Sequence, residues 1–139
     1  MTSSSLELVS SKSRRFQRPR GGSIATQQTA SEQIIEKVTA WPGIEAGPGT
    51  RGEFAFTLGA REIGHLHGDY AAHFSCPKTL WAELKEQGRI THHPVFPGRE
   101  GPAARSIEDE GDVRDVIALL RLNYERVVAR HGLHARSAA

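Results

Sequence analysis

Sulfur and export signals are what this chain has least of. It holds one cysteine and one methionine in 139 residues. A lone thiol, Cys76, cannot close an internal disulfide, which excludes a small secreted scaffold held by disulfides. The N-terminus has no apolar stretch of the kind a secretory signal needs. No apolar run approaches the roughly 18 residues of a membrane span; the longest covers residues 116–120. A cytoplasmic setting is therefore expected, with no membrane as partner. A phosphate loop is missing as well. Gly98-Arg99-Glu100-Gly101 lacks both the Gly-Lys-Ser/Thr ending and the strand and helix that would frame it.

What is present fits one small domain. Hydrophobic residues make up 37% and charged residues 24%, enough for a modest core and too much apolar content for a fully disordered chain. The net charge of +2 is unevenly placed. Residues 1–28 carry Lys12, Arg14, Arg15, Arg18 and Arg20 against Glu7, a net +4, which leaves −2 for the remainder. The basic character thus belongs to the tail, and the overall charge lends no support to nucleic-acid binding by the folded part. The tail is rich in Ser, Arg, Gln and Gly without helical or strand period, and is expected to be disordered. Its composition also fits a transit peptide, or a loose electrostatic hold on an anionic partner.

A single domain is expected over residues 29–132, with residues 133–139 frayed. Thr29-Ala30-Ser31-Glu32 has capping-box form, and Ile34, Val38 and Trp41 follow as one helical stripe that Pro42-Gly43 ends. Residues 53–58 alternate, with Phe54, Phe56 and Leu58 on one face. Gly59-Ala60 reads as a tight hairpin connection and residues 61–67 as the next strand, with Ile63 sharing a face with His65 and His67. Gly68-Asp69 turns the chain, and residues 70–74 return. A second helix is expected over residues 77–87, closed by Gly88. Residues 90–96 read as a strand interrupted by Pro94, and residues 103–107 as a last short strand. A final helix is expected from an N-cap at Asp112 to Gly132, with Leu119 and Leu122 off its apolar stripe and available for a second contact surface. The fold class is α+β: an antiparallel sheet of about four to six strands with three helices packed on it in two layers.

The chemistry concentrates in histidine. His65 and His67 are two apart on a predicted strand, so both rings leave one face about 6.5–7 Å apart at the backbone. That spacing lets two imidazoles converge on one metal ion or one anionic ligand, with Asp69 beside them and His92 or His93 approaching from another strand. Zinc, nickel or copper accepts imidazole together with carboxylate. A histidine held by Asp69 can also move a proton near neutral pH, although Gly68-Asp69 serves equally as an ordinary turn. Cys76, near the start of the second helix with His73 close in sequence, has the elements of a thiol nucleophile, yet a lone cysteine is more often a small buried apolar residue. Arg99 and Arg105 can hold an anion, or simply be solvated.

Trp41-Pro42-Gly43, Gly64-His65-Leu66-His67-Gly68-Asp69, Pro77 with Leu80 and Leu84, His93-Pro94-Val95 and Leu119-Leu120-Arg121-Leu122-Asn123-Tyr124 together resemble the small bacterial "luciferase family" domain over residues 32–130. The Gly-His-x-His-Gly segment is the most specific part. Relatives carry a Ser-Gly-Trp type segment after the His-Pro stretch; here that region reads Pro97-Gly98-Arg99-Glu100-Gly101-Pro102-Ala103. The element order is also similar to that of YjbR/MmcQ-type domains, described as a DNA-binding "double wing" of CyaY-like fold, although a shared layout does not carry function. The first resemblance implies a domain family of undefined activity and no particular cofactor. The leading expectation is small-molecule binding in a pocket edged by His65, His67, Asp69 and His93. The alternatives are a nucleic-acid or protein-binding module, and a small metal-dependent enzyme using His65 and His67.

Overall fold

The structure, a computed structural model, describes residues 27–132. The expected tail lies outside the described residues except for its last two positions, and so does the C-terminal segment 133–139. The elements are α1 (Ala30–Thr39), β1 (Ile44–Pro48), β2 (Phe54–Leu58), β3 (Arg61–His67), β4 (Ala71–Ser75), α2 (Lys78–Glu86), β5 (Thr91–His92), β6 (Pro102–Ser106) and α3 (Glu110–His131). The strands form one antiparallel six-stranded sheet in the order β1-β2-β3-β4-β6-β5. With its three helices this is the expected α+β layout. The core joins Ile34 and Val38 of α1, Trp81 and Leu84 of α2, and Val113, Val116, Leu119 and Leu120 of α3 to Phe56, Leu58, Ile63, Leu66 and Phe74 of the sheet. Leu119 is therefore a core residue and not part of a second surface; only Leu122 stays exposed. No helix among the described residues is long and apolar enough to cross a membrane.

The helix starts follow local chemistry. Thr29 and Glu32 close the capping box on α1 as expected. The Ser31 N–H donates to Asp69 Oδ1 at 2.8 Å, so the hairpin turn also anchors this helix end. Helix α3 begins three residues earlier than its apolar stripe implies. Asp109 is the N-cap, its carboxylate accepting the Asp112 N–H at 2.9 Å. Asp112 instead sits in the first turn, where it accepts from the Glu108 N–H and pairs with Arg105. Arg105 also reaches Asp115, which Arg89 holds from the other side, and this network ties β6 to α3. At the far end of α3, the Tyr124 hydroxyl donates to the Pro42 carbonyl at 2.6 Å, and its ring packs against Trp41.

One irregularity positions everything that follows. Strands β2 and β3 pair Phe56 with Gly64, but the next pair is Thr57 with Glu62, so Ile63 is an extra residue. This β-bulge turns Ile63 into the core together with Leu66, correcting the expectation that it shares a face with His65 and His67. The amide nitrogen of buried Asn123 on α3 donates to the Ile63 carbonyl at 2.9 Å and satisfies a group the bulge takes out of the ladder. Next to the bulge, α3 lies against Gly64. A Cβ there would stand 2.4 Å from Leu120 Cδ2 and 3.2 Å from the His73 carbonyl oxygen. Leu120 is fully buried and has nowhere to swing. Gly64→Ala is therefore expected to lower unfolding free energy by about 1–3 kcal/mol. Chemical denaturation tests this, and an unchanged midpoint would show that helix and sheet do not meet this closely.

Candidate functional site

The register of the sheet builds the site. One row runs across all six strands through Gly47, Ala55, His65, His73, Ala104 and Thr91. It lies on the face away from the helices and has two imidazoles at its centre and small side chains on either side. His67 is two residues further along β3, opposite Ala71, which is itself opposite Ser106. The expected strand over residues 90–96 stops at His92, because Pro94 cannot continue the ladder. The chain turns at once, with the Phe96 N–H donating to the His93 carbonyl. That turn carries His93 over the row to within 4.2 Å of His73, ring centre to ring centre. His67 is 4.4 Å from His73 and 4.9 Å from His65, and His65 is 5.3 Å from His73.

The histidines named from sequence thus separate into two groups. His65, His67 and His93 come together. His92 points the other way: its register partner is the core residue Ala103, and its ring packs on Trp81 at 5.0 Å. Asp69 does not orient a histidine. Its carboxylate is engaged at the start of α1, where burial pushes its pKa up but hydrogen bonds from Ser31 and Thr29 outweigh this and hold it below the ordinary value. Two contributors were missed. His73 was legible, because folding the chain about the turn after His67 pairs His65 with His73 directly. Glu62 was not, since residues three apart on a regular strand face opposite ways. The bulge at Ile63 puts Glu62 and His65 on the same face, and His65 Nδ1 lies 2.6 Å from Glu62 Oε2.

The rings differ in their surroundings. His73 is 8% exposed, and its Nδ1 is buried with no hydrogen-bond partner among the described residues. Burial, reinforced by the charges that His93, His67 and His65 can carry, lowers its pKa to about 4. Burial followed by the same neighbours, His65 and His67, lowers that of His93 as well. Both rings are therefore neutral at neutral pH, the form that gives a lone pair to a metal. The Glu62 carboxylate draws the His65 ring proton to Nδ1 and leaves the Nε2 lone pair free. His93 Nδ1 accepts the Val95 N–H at 3.0 Å, so the neutral ring carries its proton on Nε2, and an ion displaces that hydrogen bond at Nδ1 or that proton at Nε2.

One ligand atom from each of His65, His73 and His93 lies within 4.8 Å of the other two. Nitrogens on a tetrahedral zinc ion are about 3.3 Å apart, so small ring movements close the gap. The other residues with sequence-level promise have different duties. Cys76 is buried, and burial, partly offset by Arg126, raises its thiol pKa to about 11, which removes it as a nucleophile. Arg105 belongs to the ion network at α3, whereas Arg99 lies over the Phe96 ring at 5.3 Å. Two recesses lie elsewhere, one of about 440 Å³ between α1 and α3 and one of about 280 Å³ beside β5 and β6, and neither borders a histidine.

Residues 60–123 match the family model described as "Luciferase domain". That stretch contains the four clustered histidines, Glu62, the bulge and Asn123, so it spans the whole constellation just described. No curated protein and no solved structure matches the chain.

Proposed function

We propose that the luciferase-family domain carried by residues 60–123 binds a divalent transition-metal ion through His65, His73 and His93 and offers its open coordination position to a small-molecule ligand. The observation that carries this reading is the convergence of three imidazole ligand atoms, one of them from a buried ring whose Nδ1 has no partner among the described residues. A buried polar atom without a partner is costly, and an ion supplies the partner. Three histidines with a free fourth position are the arrangement of metal sites that act on a ligand, whereas purely structural sites fill all four positions. Glu62 has the place of an outer-shell carboxylate that fixes the tautomer of a ligating histidine. His67 is exposed beside His73, within reach of a group on the open position. Two arginines that nucleic-acid binding could draw on, Arg89 and Arg105, are held by aspartates in a part-buried network, and Arg121 pairs with Glu125 at the surface.

Titration calorimetry of the chelator-treated full chain with zinc at neutral pH is expected to show one ion per chain. Glu62→Gln keeps that stoichiometry and weakens affinity by about 10–100-fold, the usual effect of losing an outer-shell carboxylate. Binding heats that survive unchanged in His65→Ala would sink the reading.

A further inference from the structure

Three features meet at the rim of the histidine cluster. The first is apolar. Among the described residues the exposed large hydrophobic side chains are Tyr70, Val95, Phe96 and Leu122. Three of them lie on the segments that carry the histidines: Tyr70 in the turn after His67, Val95 and Phe96 just after His93. Val95 is 62% and Phe96 41% exposed, and the Phe96 ring stands 5.3 Å from that of His93. The second is cationic. The Arg99 guanidinium lies over the Phe96 ring and makes none of the ion pairs among the described residues. The third is a backbone donor. The Val95 N–H donates to His93 Nδ1 at 3.0 Å, so a backbone donor stands beside a ring of the cluster, and an ion seated on Nδ1 would free it.

An ion with an open position, a released N–H and a nearby cation together recognise a carboxylate: one oxygen completes the coordination and the other accepts the N–H. The exposed Val95 and Phe96 then ask for an apolar body behind that carboxylate. In the register of the sheet the rings have small neighbours, Ala55 beside His65, Ala71 beside His67 and Ala104 beside His73. Resting on the metal reading above, we infer that the ligand of this site is a hydrophobic monocarboxylate, its carboxylate on the ion and the Val95 N–H and its apolar body against Phe96.

The test uses the full chain loaded with cobalt(II), whose visible absorption reports both metal binding and exchange at the open position. Acetate, hexanoate and benzoate are titrated separately. Hexanoate or benzoate is expected to change the spectrum at concentrations about tenfold below acetate, since each added methylene or ring buries apolar surface. A preference for one of the two tells an aliphatic from an aromatic body. Phe96→Ala, once loaded with cobalt, loses the preference, while Arg99→Gln raises all half-effect concentrations about threefold. Equal response to all three carboxylates, or a preference that survives Phe96→Ala, overturns the inference and leaves the metal site standing. Failure to develop a cobalt spectrum before any carboxylate is added overturns the metal reading, and this inference with it.

Discussion

His73→Ala is expected to abolish stoichiometric metal binding, with a loss in affinity of about a thousandfold or more. The size follows from its place. His73 is the innermost of the rings, opposite His65 in the register and 4.2 Å from His93, so its removal leaves two ligands with nothing between them. The same variant has a second signature in the metal-free protein. The pKa of His73 is lowered from 6.5 to about 4 on folding, so the unfolded chain binds the proton more tightly. The metal-free native state therefore keeps its full stability above pH 6.5 and loses it as pH falls toward 4, by an amount on the order of 3 kcal/mol from this ring alone. Thermal melts across that window should be steeper in pH for the wild type than for His73→Ala. Parallel pH profiles would mean that His73 is more accessible to water than its burial indicates.

The second large effect is expected far from the histidines in sequence. Asn123 donates to the Ile63 carbonyl and accepts from Arg126 Nε at 3.0 Å, and it is almost fully buried. Asn123→Leu keeps the branched shape in a somewhat larger side chain and removes the donor, stranding a buried carbonyl at the bulge. The expected cost is about 1–3 kcal/mol, read as a lower denaturation midpoint at unchanged slope. The bulge is also what brings Glu62 and His65 to one face, so zinc affinity should fall together with stability. A variant that is destabilised but binds zinc as tightly as the wild type would uncouple the bulge from the site.

Asn123 also marks where sequence reading stops. Elements with local signatures were legible: the Thr29 and Glu32 capping box, the alternating β2, the turn at Gly68-Asp69, the left-handed Gly88 after α2. So was the pairing of His65 with His67 on one strand face; the sequence left His92 or His93 open as the ring from another segment, and the turn that ends β5 at His92 decides for His93. The bulge was not, because its stabilising partner lies 60 residues away and no alternation pattern marks it. Without the bulge, Ile63 falls on the wrong face and Glu62 cannot be seen as the partner of His65. Asp69 was misplaced for a related reason. A carboxylate two residues from a histidine looks available until α1 is packed beside it, and then the helix N-terminus takes it. At α3, the apolar stripe begins at Val113, and the polar first turn that precedes it hid the true cap at Asp109.

X-ray absorption fine structure of the zinc-loaded full chain tests the three-imidazole centre most directly. The account predicts three imidazole nitrogens at about 2.0–2.1 Å, with the outer-shell scattering of intact rings and one light oxygen beside them. A first shell of oxygen alone, with no ring scattering, would contradict it.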